Sequence, residues 1–580
     1  MKKFIAITIF LSCIAAFAWH FFKPSPIQSA PADLLFTDTL FMVELIDLEK
    51  KLDRFKSSKL GQNLKKIDVN DILLQIGALP HFIESYKTAE STILSFLDSM
   101  LFKSLFGKQV MLALLPLQFD PSQPISETDR LKGVLAGFVL IARPKHGVEL
   151  TDFIGDLFSK QLELQTYSFY EHQIKHFGIH YGQTIYYATK DGLLIAALNH
   201  RTLEKCLHPS PENDVRLSQN RQYRYLYDRL AASSYHHFIY ADAKQLIQTA
   251  LNFVTALPGG TREKLPVIDV LDNLKGFNKM ASALYEENES LVRNKLIATI
   301  DREELSPLMK RLVDFSPQEN KTLKMTPRNL LLYNWSGLFD LKTQLDLYAS
   351  SKIYAKPVIE KIKDWVENSA GLDFDQAIDT FGNQVGFVLA DILTGGIFPF
   401  PNAAFYIEVK NKDIPTKLIS SLIDRSGLTL QREEFEGVPI YFIVTPLGGA
   451  IQPAYAFFKD FVIISTNKEL IQRSITTYEN GDGVVDDNDF KSINFRLTDK
   501  NNRISFIKFH ALLGKAKEIL GWANQILAFK NRNAAKQMNI VTSGAVNPIL
   551  NGLSMYQNIG SRTVIKENEI ETDIYCQIEK

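Results

Sequence analysis

Leucine and aromatic residues recur three and four positions apart from Leu48 through Leu52 and Phe55 to Leu60, with charged residues between them, which sets one apolar stripe on an α-helix. Upstream, 34–36 and 41–44 are short apolar runs that read as extended chain. Downstream the helical pattern continues from Ile67 to about Phe102. It then gives way to two runs, 109–115 and 134–142, that are apolar at successive positions, as strands covered on both faces are. Residues 147–160 read as helix. Strands follow near 173–176, 184–188 and 193–198, then a short helix from Thr202, a helix around 223–230 and a strand at 237–240. A helix at 243–254 and a closing hairpin of 280–285 and 291–300 complete the series.

The same order returns in the second half. Residues 44–60 align without a gap on 337–353: Leu45, Asp47, Leu48, Leu52, Asp53, Ser57, Ser58 and Lys59 recur as Leu338, Asp340, Leu341, Leu345, Asp346, Ser350, Ser351 and Lys352. Phe106-Gly-Lys-Gln-Val110 answers Phe381-Gly-Asn-Gln-Val385, and 237–244 answers 505–512. Both closing hairpins carry Glu-Asn-Glu, at 287–289 and 567–569, where an Asn that tolerates positive φ suits a tight turn. Hairpins mixed with helices, rather than strict strand-helix alternation, predict an α+β fold. The expected organisation is two homologous tandem domains, 31–301 and 327–580, each a largely antiparallel sheet packed with helices. A proline-bearing linker, 302–326, joins them, and a segment 1–24 precedes them. In a duplicated scaffold, what both copies keep is fold, and what one copy alone carries is a candidate for function.

Composition narrows the partners. Sixty-five basic and sixty-five acidic side chains leave no net charge, which points to no nucleic-acid partner and no strong attraction to anionic lipid. With 46% apolar residues and 39 Phe, the chain can bury large cores. Met1-Lys-Lys followed by an apolar run, Phe4 to Phe22, is the pattern of an export signal. Two readings stay open: a signal peptide cleaved after Ala16-Phe17-Ala18, or a retained membrane anchor, and either places the rest outside the cytoplasm, in the periplasm or on the inner membrane facing it. Cys13 lies in that run without the leucine three residues earlier that a lipoprotein signal usually shows. Cys206 and Cys576, at non-equivalent places in the two halves, read as buried thiols or as one bridge.

The export signal, the Pro-Ala-Asp opening at Pro31, the helix ending in Ser57-Ser-Lys-Leu60, and Gly371-Leu-Asp-Phe-Asp-Gln-Ala-Ile-Asp-Thr-Phe-Gly-Asn-Gln-Val385 ahead of a strand together carry a resemblance. The chain looks like a bacterial envelope family catalogued as domain of unknown function 3352. The resemblance covers most of the exported chain. It implies an extracytoplasmic bacterial protein and brings no catalytic residues with it.

Three stretches carry candidate chemistry. His172, His176 and His180 share strand parity beside Glu171, but steps of four along a strand are roughly 13 Å, too far for one ion. Asn480, Asp482, Gly483, Asp486 and Asp489 match positions of a calcium loop, with oxygen ligands on alternate residues and a glycine at the bend. Tyr478 stands where the first carboxylate belongs, and Asp489 where a bidentate Glu is usual; the other reading is an acidic surface loop. Gly395-Gly-Ile-Phe-Pro-Phe-Pro401 is either a membrane or partner contact or, the favoured reading, a plug at the edge of the core. No nucleophile elbow, zincin helix, phosphate loop or dinucleotide fingerprint is present, and no organic cofactor is expected. Three functional readings follow: a non-enzymatic envelope protein binding a partner protein or a lipid-like apolar ligand; an envelope hydrolase, metal-assisted or not; or a structural spacer.

Overall fold

The fold is described from a computed structural model for residues 30–99, 102, 103, 106–116, 127–144, 164–179, 183–208, 215–256, 261–351, 355–368, 370–394, 398–445 and 451–579. The segment 1–24, the helix expected at 147–160 and His180 lie outside the described residues. The chain forms two compact units. The first holds the described residues up to 256 with 277–286 and 295–299; the second holds 261–276, 287–294 and 300–579.

The first unit contains β1 (Phe41–Ile46), β2 (Gln109–Leu114), β3 (Phe138–Arg143), β4 (Gln165–Phe169), β5 (His172–Ile179), β6 (Gln183–Lys190), β7 (Leu193–Ala197) and β8 (His237–Asp242). The chain then continues through the hairpin of β9 (Phe277–Asn288) and β10 (Leu291–Ile300). Antiparallel pairing gives the order β9-β8-β1-β2-β3-β7-β6-β5-β4. Side chains alternate between two covered faces. Met42, Met111, Val139, Ile141, Phe238 and Tyr240 meet the helices His200–Leu207 and Arg221–Leu230 on one face. On the other, Val110, Leu140, Phe177 and Leu194 pack with Phe102, Phe106 and the helix Leu48–Ser57, which presents the predicted Leu48 and Leu52. Burial on both faces is why 109–115 and most of 134–142 read as continuous apolar runs.

Two expectations change. The helical run from Ile67 divides into Val69–Gln75 and Pro80–Asp98, because Gly77 takes φ +78°, a conformation that costs glycine little, and Pro80 cannot continue the first helix. Residues 134–136 end the helix Glu127–Ala136, and the strand starts only at Phe138. A short run of successive apolar residues suits either element, so periodicity alone could not separate them.

The second unit contains β11 (Leu332–Ser336), β12 (Phe381–Leu393), β13 (Phe400–Val409), β14 (Leu430–Phe435), β15 (Val438–Ile443), β16 (Ala454–Phe458), β17 (Phe461–Ser465), β18 (Arg503–Lys508), β19 (Tyr556–Ile565) and β20 (Glu569–Ile578). Its antiparallel order, β20-β19-β18-β11-β12-β13-β17-β16-β15-β14, repeats that of β9 through β4 strand for strand, with β20 returning against β19 as β10 does against β9. Tyr333, Trp335, Tyr406, Phe461 and Phe506 fill its core beneath the helices Lys468–Asn480 and Asn488–Ile493.

The stretch expected as a linker is built into this unit. Residues 302–326 form the helix Pro307–Val313 and a 3-10 turn, Lys321–Met325, and Asn320, Thr322, Leu323, Met325 and Thr326 are buried. A Cβ on Gly386 would stand 3.0 Å from Thr322 Oγ1 and 2.9 Å from the Tyr406 ring, so glycine is what lets this segment close on β12. The fold is thus mixed helix and strand with extensive antiparallel sheet. Among the described residues, no helix is long and apolar enough to cross a membrane.

Candidate functional site

Strand register fixes which residues of the two units correspond. Phe106-Gly-Lys-Gln-Val110 matches Phe381-Gly-Asn-Gln-Val385, so Met111 corresponds to Gly386 and Ala113 to Val388. Glu44 pairs with Met111 and Trp335 with Gly386, which sets Glu44 against Trp335. The ungapped sequence match had set Glu44 against Gly337. Three positions separate Glu44 from Asp47 but five separate Trp335 from Asp340, so the second unit carries two more residues between strand and helix. By the same bookkeeping Val139 corresponds to Ala404, and therefore Arg143 to Glu408. β8 matches β18 from His237 on Arg503, two residues from the sequence match. The first unit thus holds Glu44, Gln109 and Arg143 where the second holds Trp335, Gln384 and Glu408.

In the first unit these three line a cavity of about 570 Å³ with Met111, Tyr223 and Tyr227. β1, β2 and β3 end together here, and alternation puts Glu44, Gln109 and Arg143 on the face beneath the helix Arg221–Leu230. Glu44 is 3% exposed. The Gln109 amide donates to one of its oxygens, and the Tyr235 hydroxyl donates to the other at 2.9 Å. Arg143 Nε donates to Gln109 Oε1 at 2.9 Å, and Tyr227 and Tyr235 hydroxyls meet at 3.2 Å. Burial raises the Glu44 carboxyl above its ordinary range, against the lowering pull of Gln109, Tyr235 and Arg143. Burial likewise lowers Arg143, against the pull of Glu44, and raises Tyr223 and Tyr235. Asp47, Lys108, Arg224 and Asp228 also line the cavity.

In the second unit an indole fills the place of Glu44. Trp335 is fully buried and donates its Nε1–H to Gln384 Oε1 at 3.1 Å. The Gln384 amide in turn donates to Gln318 Oε1 and the Glu319 carbonyl, each at 3.2 Å. Glu408 accepts from the backbone of Asn383 and Gln384 and pairs with Lys321 at 2.7 Å. A recess of about 530 Å³, close in volume to the first unit's cavity, opens at the same edge, lined by Asp340, Asn383, Glu408 and Lys410 but not by Trp335.

The sequence-predicted residues fall elsewhere. Asn480 ends the helix Lys468–Asn480, with Gly481 as its left-handed cap, and Asp487 caps Asn488–Ile493. Each carboxylate of the acidic loop has a cation beside it: Arg328 contacts Asp482 and lies 4.0 Å from Asp486, Lys491 lies 3.4 Å from Asp486, and Lys508 lies 3.0 Å from Asp489 and 2.7 Å from Asp487. Burial raises the Asp489 carboxyl, yet Lys508 and Asn558 outweigh it and hold the group below its usual range. Among the described residues no group of three or more His, Cys, Asp or Glu side chains is disposed to hold a metal ion. His176 packs between the Tyr167 and Tyr186 rings, while His172 lies 3.3 Å from Glu171. Of the stretch expected to plug the core edge, 395–397 lie outside the described residues, Phe398 is 67% exposed with its ring 5.8 Å from Trp522, and Phe400 is half-buried at the start of β13. Cys206 is buried and Cys576 half-buried, both as free thiols.

Sequence reasoning missed Glu44 as a site residue. The available signal was a glutamate in an apolar strand whose counterpart in the second unit is tryptophan, and it was hidden by the two-residue offset. No family model, curated protein or solved structure matches this chain.

Proposed function

We propose that this is a non-enzymatic binding protein of the bacterial cell envelope, built by tandem duplication, in which the first copy receives a small ligand and the second serves as scaffold. One observation carries the reading: the buried carboxylate of Glu44 lines a cavity in the first unit, and the fully buried Trp335 stands in its place in the second. The second unit keeps a recess of similar volume at the same edge but has no carboxylate in the place of Glu44, and because burying a carboxylate to 3% exposure is costly, its presence in the first unit favours a role for it. The volume falls within the range of roughly 300–1,000 Å³ usual for small-molecule sites. The identical strand orders and the matched Phe-Gly-x-Gln-Val segments support the duplication. The Lys2-Lys3 and Phe4 to Phe22 pattern supports export, as does the likeness to the envelope family.

The test is a thermal-shift screen of the full exported chain against a library of cationic, anionic, zwitterionic and neutral small molecules, run beside Ser218→Trp. Ser218 is a half-buried lining position, so the indole narrows the cavity. The expected outcome is a concentration-dependent rise in melting temperature that Ser218→Trp abolishes. A library without a single hit, or hits indifferent to Ser218→Trp, would remove the reading.

A further inference from the structure

From Ile519 to Lys566 the chain carries no acidic residue, so the zero net charge of the whole hides a local positive excess. Within that stretch the helices Phe509–Lys530 and Arg532–Val541 form a hairpin joined by Asn531 alone, whose side chain accepts the Ala534 N–H at 3.0 Å and caps the second helix. Asn524 donates to Asn539 at 3.4 Å across the pair. The turn therefore fixes what it presents. Phe529, 90% exposed, is the most exposed large apolar side chain among the described residues. Lys530, Arg532 and, one turn on, Lys536 are exposed as well, and none of the three has an ion pair among the described residues. We infer that this hairpin tip docks on a lipid bilayer bearing anionic headgroups, with Phe529 inserted at the headgroup–acyl boundary and the three cations against the headgroups.

Charge and shape choose the bilayer. Cations without carboxylates among them complement an anionic surface, each adding about fivefold to attachment at low salt, so three add about a hundredfold. The tip is a helical turn, not a groove, so Phe529 projects; a fluid surface closes round such a side chain, whereas a folded protein needs a pocket matched to it. Burying a phenyl ring adds about tenfold or more. Apolar surface also runs back from the tip, because Trp522, Ile526 and Phe529 fall on one helix face at i, i+4 and i+7, and Phe398, 67% exposed, sets its ring 5.8 Å from Trp522. Aromatic residues beside lysine and arginine are the composition of helices that lie in a membrane interface. The matching connection, between β8 and β9, also passes through two helices, Ala243–Ala256 and Thr261–Asn273, but mixes Glu263, Asp269 and Asp272 with its cations. The cationic apolar tip thus lies only between β18 and β19.

The test is flotation of the full exported chain with vesicles, leaving off residues 1–24, whose apolar run would enter lipid by itself. Vesicles of phosphatidylglycerol and phosphatidylcholine in equal parts are compared with phosphatidylcholine alone. The mixed vesicles should bind about tenfold or more tightly, and the advantage should shrink as salt is raised. Phe529→Ser should weaken attachment to the mixed vesicles about tenfold. Replacing all three cations, Lys530→Gln, Arg532→Gln and Lys536→Gln, should erase the preference for the anionic lipid. These side chains are exposed, so the variants should melt with wild type. Leu79→Ser, at a position 64% exposed in the first unit, should leave attachment unchanged. Attachment that survives both tip variants, or that Leu79→Ser weakens as much as Phe529→Ser does, overturns the assignment. So does the absence of attachment to mixed vesicles, which leaves the tip to an acidic protein partner. None of these residues lines the Glu44 cavity, so the ligand screen and this test fail or succeed separately.

Discussion

At Glu44, a buried carboxyl whose proton affinity is raised by desolvation makes stability depend on pH in a definite direction. The native state binds the proton more tightly than the unfolded chain. Between the ordinary value near 4.5 and the raised native value, folding therefore takes up a proton, and stability falls as pH rises through that window. Glu44→Gln has no proton to lose. The melting temperature of the variant relative to wild type should climb as pH is raised from 4.5 through the raised native value and then level off, as scanning calorimetry would register; two parallel profiles would mean that Glu44 carries no such linkage. Asp573 presents the opposite case. It is 1% exposed and receives Arg293 at 2.8 Å and Arg562 at 2.8 Å, all three within the second unit. Removing Asp573 takes the anion from the buried Arg562, while Arg293 keeps Glu287 at 3.3 Å, so Asp573→Ala should cost about 3–5 kcal/mol in denaturant titration. A loss near that of an exposed pair, below about 1 kcal/mol, would show that the guanidiniums are solvated after all.

Among the elements, the sequence was legible wherever a stripe or alternation was long. The helix Leu48–Ser57, the strands around Met111 and Phe238, and the Glu287-Asn288-Glu289 turn, where Asn288 Oδ1 accepts the Ser290 N–H at 2.9 Å, all stand close to their expected places. What escaped was set by contacts distant in sequence. Residues 302–326 looked like linker because prolines and charges dominate, yet Thr322 is buried where it closes on Gly386 and Leu323 joins the core of the unit. The Glu44 site escaped because an ungapped match cannot reveal two extra residues after Trp335; only pairing with Gly386 shows it. The acidic loop shows the reverse, a pattern clear in sequence whose carboxylates are already matched by Arg328, Lys491 and Lys508. Millimolar calcium should thus leave the melting temperature unchanged, since an ion would have to displace those cations. A rise of several degrees, lost on chelation, would restore the calcium reading. The same charge logic is mirrored between the two units. β8 ends in Asp242, buried against Lys279, whereas β18 ends at the corresponding place in Lys508, held by Asp487 and Asp489. Each unit keeps a paired charge at that strand end with the sign reversed, so the position conserves electroneutrality rather than a residue.

For the whole molecule, the proposed export is open to a direct chemical test because the native thiols are silent. Cys206 is fully buried and so out of a reagent's reach, and burial pushes the Cys576 thiol up to about 11, so little thiolate exists there near neutral pH. Changing Cys13 to Ala leaves a background in which an added surface cysteine is the only reactive one. Phe529, on the helix Phe509–Lys530, is 90% exposed, so Phe529→Cys puts a thiol in open solvent at little structural cost. If the apolar run after Lys2-Lys3 delivers the chain outward, a membrane-impermeant maleimide should label this variant in cells whose outer membrane has been opened but whose inner membrane is intact. The same cells carrying only Cys206 and Cys576 should label only after denaturation. Labelling of Phe529→Cys that requires lysis of the inner membrane would place both units in the cytoplasm. The envelope setting would then fall, while the Glu44 cavity, which depends on strand register alone, would stand to be tested in its new compartment.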